Sequence, residues 1–257
     1  MKISNKTKII IIKIPFSVFF YIRIKKLINF INFIFDLFKF IEHNDGRFPV
    51  KMSLLSPQLL DRATVTKIEP HYTYHPAWAA RVLAKTRPES HVDFSSFIQF
   101  STLVSAFIPI KFYDYRPANI KLENLKTMEG DLLSMPFESK SVMSLSCMHT
   151  VEHVGLGRYG DPVDPQGDLK AIKELKRVLA VGGTLLFVVP VGESKIIFNA
   201  HRSYSYDQIM DYFSDLHLEE FSLIPDNAVD IGMIKNATKQ DSDKQENGCG
   251  CFWFIKK

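Results

Sequence analysis

Read from its amino terminus, the chain changes character once, near residue 43. Before that point apolar residues crowd together, in "KIIIIKIPFSVFFYIRIKK" and then "LINFINFIFDLFKFIEH". Lys13, Arg23, Lys25 and Lys26 interrupt the run, so no stretch reaches the roughly 18 uncharged residues that a membrane-spanning helix needs. From Lys25 onward the polar positions Lys25, Asn29, Asn32, Asp36, Lys39 and His43 recur in steps of four and three, which places them on one helical face. A helix with a narrow polar stripe and a broad aromatic face suits a membrane interface. Burial against the rest of the protein or a second copy is the alternative, and a short signal-anchor span from Ile14 to Ile22 is a third. No small-residue cleavage site follows the apolar run, which argues against a cleaved signal peptide. Residues 44–69, with Gly46, Pro49 and Pro57, read as a connector to residues 70–257.

Beyond the connector, short apolar runs alternate with helical patterns. "HPAWAARVLAKTRP" puts Trp78, Val82 and Leu83 on one face and stops at Pro88, as a helix does. Buried strands are predicted at residues 91–95, 111–115, 126–129, 142–147 and 184–189, with two more at 218–224 and 249–255. "DPQGDLKAIKELKRVL" reads as a helix capped by Asp164, with Pro165 in its first turn and Leu169, Ile172, Leu175 and Leu179 on one side. Ser205 and Gln208 fit a capping box that opens a helix through Phe213. Strands and helices alternating in this way specify a three-layer α/β sandwich.

Composition narrows the function classes. With 32 basic and 28 acidic residues the excess of positive charge is small, and it lies among the apolar residues of the first segment. No separate basic stripe for nucleic acid is left, so a nucleic-acid partner is not expected. Three cysteines, Cys147, Cys249 and Cys251, are too few and too odd in number for a disulfide framework, which points to a reducing compartment. Cys249 and Cys251 have no second cysteine pair or neighbouring His cluster in the sequence, so they read as buried strand residues.

One stretch carries two motif matches at once. In "HTVEHVGLGRYGDP", His149, Glu152 and His153 spell H-x-x-E-H, while Gly155, Gly157 and Gly160 spell G-x-G-x-x-G. The zinc reading needs a long helix, yet three glycines and Pro162 follow within nine residues of His153. The dinucleotide reading needs a helix directly after the glycines, yet Asp161-Pro162-Val163-Asp164-Pro165 follows. Both matches lack their structural context, and no metal is expected at His149 and His153.

Longer-range order is more informative. "EGDLLSMPFESKSVMSLSCMHTVEHV" followed by "ELKRVLAVGGTLLFVVP" resembles the central part of class I S-adenosylmethionine-dependent methyltransferases, with Val181 where proline is usual. "HVDFSS" and "KFYDYRP" then correspond to the first two strands. "GLGRYGDP", "HPAWAA" and "NAHRSYSYDQI" resemble a bacterial family of unknown function in that superfamily, associated with surface-glycan gene clusters. The resemblance implies an α/β fold, a three-layer Rossmann-like sandwich with a mostly parallel sheet and an antiparallel C-terminal strand, preceded here by the amphipathic N-terminal helix.

It also implies a set of roles. Asp114 would take the ribose hydroxyls of S-adenosylmethionine, Asp131 and Leu132 the adenine, and Asp93 and Ser95 belong to the first-strand cofactor motif. That motif expects glycines where Ser95, Phe97 and Gln99 stand, so Phe97 enters the cofactor's space unless the loop takes another path. His149 follows the fourth strand at the cofactor rim. On the acceptor side, His153 is the expected base, with Glu152 and Asp161 beside it, and Arg158 and Tyr159 would bind substrate. The function implied is methyl transfer to a surface-glycan intermediate at the cytoplasmic face of the membrane, the protein being peripheral there. The alternative is a degenerate fold that binds a sugar nucleotide or a partner enzyme without chemistry.

Overall fold

The computed structural model describes residues 16–62 and 65–257. Two compact units divide between Lys67 and Ile68. The first contains helix α1, Phe16–Glu42; the opening of the apolar run, including Lys13 and the start of the Ile14 to Ile22 segment, lies outside the described residues. Among the described residues no helix is long and apolar enough to cross a membrane. Part of the predicted connector packs on this helix instead of leading away from it. Asn29 donates to the Leu59 carbonyl at 2.6 Å, and Asp36 pairs with Arg62. Two members of the polar stripe are therefore engaged within its own unit, while aromatic residues such as Phe35 and Phe38 stay 71% and 66% exposed.

The second unit opens with α2, Pro70–Thr86, which starts a turn earlier than the sequence pattern indicates. Glu69 caps it by accepting from the Tyr72 N–H, and Arg87 ends it in the left-handed conformation. Nine strands follow: β1 His91–Phe94, β2 Ile110–Asp114, β3 Leu125–Glu129, β4 Val142–Met148, β5 Leu179–Val191, β6 Lys195–Ile197, β7 His201–Ser203, β8 Leu216–Ile224 and β9 Gly248–Lys256. Seven of them form one sheet in the order β3-β2-β1-β4-β5-β9-β8. All neighbours are parallel except β9, which runs antiparallel between β5 and β8. The seven strands are those the apolar runs predict; β6 and β7 form a separate hairpin that no sequence pattern marks.

Helices cover both faces because both faces are apolar. Along β5, Leu185, Phe187 and Val189 face a core closed by α4, Gly167–Val178, and α5, Tyr206–Tyr212. Leu186 and Val188 face the other core, with Trp78, Val82 and Leu83 of α2 and Phe100 and Val104 of α3, Ile98–Val104. The Ser205–Gln208 capping box forms as the sequence predicts. In α4 the pattern is partly misleading. Its N-cap is Gln166, without a side-chain bond, while Asp164 accepts from the Gln166 N–H and pairs with Lys170. Leu169 is 40% exposed and belongs to neither core.

The sheet order reverses between β1 and β4, and a buried polar chain joins the two strands there. Ser144 and Ser146 of β4 each lie 2.8 Å from a ring nitrogen of His91. Ser146 donates in turn to Asp93 at 2.8 Å, and Ser101 of α3 donates to the other Asp93 oxygen. Asp93, expected in the cofactor motif, is fully buried and bonded within this chain, away from solvent. Burial pushes its carboxyl up to about 6, against the hydrogen bonds from Ser101, Ser96 and Ser146. Burial also pushes His91 down to about 3, keeping it neutral.

Two outcomes test this account. Phe213 is fully buried, with ring centroids 4.8 Å from Phe187 and 4.7 Å from Phe254. Phe213→Ala should cost ~3–5 kcal/mol in chemical denaturation, whereas Leu169→Ala should stay within ~0.5 kcal/mol. Asp93 holds its proton more tightly folded than unfolded, so its contribution is full below pH 3.8 and lost as pH rises through about 6. His91 acts oppositely, its contribution being lost as pH falls from 6.5 towards about 3. Asp93→Asn should therefore leave the His91 trend unopposed, and urea midpoints should rise more steeply with pH between about 4 and 6 than in the parent. Superimposable profiles would contradict it.

Candidate active site

Parallel strands that diverge on either side of an order reversal leave a crevice beyond their C-terminal ends. Here two adjoining cavities occupy that place, of about 590 and 350 Å³. Ser95, Asp114, Arg116, His149, His153 and Tyr159 line both, so they form one cleft. Glu152 and Arg158 line the larger part, and Asp131, Leu132 and Asp161 the smaller. Of the sequence-predicted site residues only Asp93 lines neither.

The loop after β1 solves the problem of its missing glycines by strain and by side-chain bonds. Ser95 adopts φ 55°, and its N–H donates to the Tyr113 carbonyl at 2.7 Å. Thr150 donates its hydroxyl to the Ser95 carbonyl at 2.8 Å, and Ser96 accepts from the Met148 N–H at 3.0 Å. Phe97 packs edge-on against Tyr72, with centroids 5.3 Å apart, and so lines the larger cavity as part of its wall. Left-handed φ at a non-glycine residue is uncommon and collects at functional sites. His149, the residue after β4, shares it at φ 56°.

At the ends of β2 and β3, Asp114 accepts from the Arg116 N–H through one oxygen, at 2.7 Å. Among the described residues this carboxylate makes no other hydrogen bond or ion pair. An Asp114–Arg116 ion pair does not form, because the Arg116 guanidinium lies over the Tyr159 ring, 4.7 Å from its centroid. Asp131 accepts from the Leu133 N–H at 2.8 Å, and Leu132 is buried beside it.

The other side is built on residues 149–161. Val151–His153 is a single 3₁₀ turn, so the long helix of an H-x-x-E-H site is absent. The three glycines all have positive φ, and α4 starts only at Gly167, so the dinucleotide geometry is absent as well. Gly155 has a further reason to be glycine, since a Cβ there would meet the Asp164 carbonyl oxygen at 2.1 Å. Asp161 accepts from the Gly155 and Tyr159 N–H groups at 2.9 and 3.1 Å. Both its oxygens are thus spent on the loop's own backbone, and it clamps the loop instead of orienting His153.

His153 is oriented by the β6–β7 hairpin. Its Nδ1 lies 2.6 Å from the Ala200 carbonyl, which also accepts from Arg158 Nη1 at 3.1 Å, and the same Arg158 nitrogen is 3.2 Å from Nδ1. The shorter contact, to an oxygen that can only accept, assigns the proton to Nδ1 and the lone pair to Nε2. Glu152, with a side chain 1% exposed, places Oε1 3.8 Å from His153 Nε2 and 2.8 Å from His149 Nδ1, and its Oε2 has no hydrogen-bond partner. Burial works to lower the His149 pKa, but Cys249 and Glu152 outweigh it and hold the imidazole well above its ordinary value. The Glu152 carboxylate accounts for this direction, because desolvation pushes the Cys249 thiol up and keeps it neutral. Arg158 and Arg116 flank Tyr159, at 5.1 and 4.7 Å from its ring.

Several site residues escape the sequence reading. His71, Tyr72, His201 and Asn247 line the larger cavity, and Cys249 Sγ lies 3.2 Å from His149 Nε2. His71 and His75 stand four apart on one face of α2, a spacing visible in "HYTYH" once the helix is begun at Pro70. Nothing local marks His201 or Cys249; the hairpin and the reversed direction of β9 bring them in.

Known proteins resemble the chain chiefly through this architecture. A family model described as "Caenorhabditis protein of unknown function, DUF268" matches residues 135–247, and no curated protein matches. The N-methyltransferase NodS of Bradyrhizobium japonicum WM9, solved in complex with S-adenosyl-L-homocysteine, is 12% identical with a TM-score of 0.50, over 78% of this chain and 91% of that one. A candidate methyltransferase of Bacillus halodurans C-125 is 14% identical with a TM-score of 0.50, over 70% and 98% of the two chains. The chain has the fold of the class I S-adenosylmethionine-dependent methyltransferases.

Proposed function

We propose that the protein is an S-adenosylmethionine-dependent methyltransferase whose acceptor is a sugar-containing, anionic molecule. One observation carries the reading: a single cleft joins an unshared strand-end carboxylate, Asp114, to an imidazole, His153, whose Nε2 is left free to take a proton. The residues present fit the cofactor. Asp114 has an oxygen to offer vicinal hydroxyls, Leu132 supplies an apolar wall and Phe97 is turned aside onto Tyr72.

S-adenosylmethionine, when bound, supplies an electrophilic methyl group. His153 Nε2 accepts the proton of the acceptor hydroxyl, while Ala200 keeps the opposite side of the ring in place. The Glu152 carboxylate, 3.8 Å away and buried, stabilises the imidazolium that results. Arg116 and Arg158, both stacked over the Tyr159 ring, suit a phosphate or carboxylate on the acceptor. A surface-glycan intermediate, the class to which the sequence resemblance points, combines these features. We place the reaction at the cytoplasmic face of a membrane: α1 engages Asn29 and Asp36 of its polar stripe internally, and much of its exposed surface is aromatic and aliphatic, with Arg23 and Lys26 exposed among them.

Calorimetric titration with S-adenosylmethionine and S-adenosylhomocysteine tests the cofactor. Both should bind the parent protein, and Asp114→Ala should weaken them at least ~10-fold with stability changed by no more than ~0.5 kcal/mol. If neither binds and a sugar nucleotide does, the protein is a binding module on a methyltransferase fold. For the membrane, Phe35→Asp combined with Phe38→Asp in the full chain should reduce co-sedimentation with phosphatidylcholine–phosphatidylserine vesicles at least ~10-fold. Equal sedimentation of parent and variant would remove the membrane from the proposal.

A further inference from the structure

The sequence pairs His149 with His153 and Cys249 with Cys251; the fold pairs His149 with Cys249. Strand β4 ends at Met148, and the His149 N–H donates to the Val188 carbonyl of β5 at 2.8 Å. Because β9 runs against β5, with Cys249 opposite Pro190, its first residues lie at the rim where the parallel strands end. Helix α2 then lays His71 over His149, with rings 5.5 Å apart and inclined by 13°.

We propose that His71, His149 and Cys249 bind a zinc ion, with a fourth position open to the larger cavity. Donor atoms of the three residues lie within 4.8 Å of one another. Zinc bonds of ~2.3 Å to sulfur and ~2.0 Å to nitrogen at tetrahedral angles put N and S ~3.6 Å apart, close to the 3.2 Å between His149 Nε2 and Cys249 Sγ. Two imidazoles and a thiolate are a zinc donor set.

The surrounding bonds are those that orient metal-binding histidines. His149 directs Nδ1 at the Glu152 carboxylate, 2.8 Å away, leaving Nε2 for the metal. His71 is held over the same rim by its stacking on the His149 ring, and one of its ring nitrogens lies within reach of Cys249 Sγ and His149 Nε2. Beside them His75 is fully buried, its Nδ1 on the His71 carbonyl at 2.7 Å and its Nε2 without a partner. Its ring stands edge-on to His149 at 5.0 Å. A polar pocket of this depth serves no packing purpose, since an apolar residue at each position would avoid the desolvation cost.

Loading balances in protons. The Cys249 thiol releases one and the His149 imidazolium releases the one on Nε2, while the Nδ1 proton stays on the Glu152 hydrogen bond. Since His71 and His149 line the larger cavity, an oxygen donor from water or from the acceptor would complete the coordination there. The inference does not depend on methyl transfer.

The full-length protein, stripped with chelator and reloaded, tests it. Elemental analysis should find one zinc per chain, and cobalt(II) in its place should give thiolate-to-cobalt charge-transfer absorption. Cys249→Ser should abolish that absorption, and His71→Ala, at a half-exposed helix position, should weaken metal binding at least ~10-fold, with near-ultraviolet circular dichroism confirming that each variant is folded. His153→Ala and His217→Ala should load as the parent does. A folded parent protein that takes up neither metal overturns the proposal. So does a charge-transfer band that survives Cys249→Ser, and loss of metal in His153→Ala would return the ligation to the H-x-x-E-H pairing.

Discussion

The cleft depends on the junction between β1 and β4. These strands are neighbours in the sheet, but the connections on either side of them lead in opposite directions, so nothing crosses above their ends. What keeps the two together under an open crevice is the buried chain Ser144–His91–Ser146–Asp93–Ser101. Each ring nitrogen of His91 and each oxygen of Asp93 has a hydroxyl partner in it. Such a chain is favourable only when complete, because a buried polar group left unpaired costs more than a bond returns. It thus fixes the β1–β4 register more sharply than apolar packing would.

From that base the walls of the cleft are raised by loops that spend their polar groups on one another. Thr150 and Ser96 tie the loop after β1 to the turn after β4, which lets Ser95 and His149 hold left-handed conformations. Asp161 closes its loop on two backbone N–H groups. Arg202 of the hairpin donates to the Val154 carbonyl at 2.7 Å and faces Asp168, which also accepts from Tyr204 at 3.0 Å. The groups in the cleft left with unspent capacity include one oxygen of Asp114, Nε2 of His153, Oε2 of Glu152 and the Arg116 guanidinium over Tyr159, and they point to chemistry.

Glu152 links the two halves of the site. It is buried, and its Oε1 serves His149 at 2.8 Å and faces His153 at 3.8 Å. A change at either histidine is felt by the other through this carboxylate. Five of the eight histidines in the chain, His71, His75, His149, His153 and His201, gather around it or next to it. Such a density of titratable rings in one cleft is more than a packing role would require.

Much of this fold was legible in the sequence, for a definite reason. All seven strands of the main sheet are short apolar runs between turns, and burial of both sheet faces leaves no other place for such runs. The α2 and α5 faces followed from helical periodicity and a capping box in the same way. Leu169 shows the limit of that reasoning, since a helical pattern locates an apolar stripe but not its edge. Asp114, Asp131, Leu132, His149 and His153 were legible as cleft residues because each follows a strand end. Asp93 was not, because a residue one step earlier points into the sheet's own core, and sequence alone does not distinguish a carboxylate at the rim from one bonded beneath it. The metal-type grouping was decided by tertiary structure alone: its members come from α2, the end of β4 and the start of β9, and only the antiparallel course of β9 puts Cys249 at the same rim as His149.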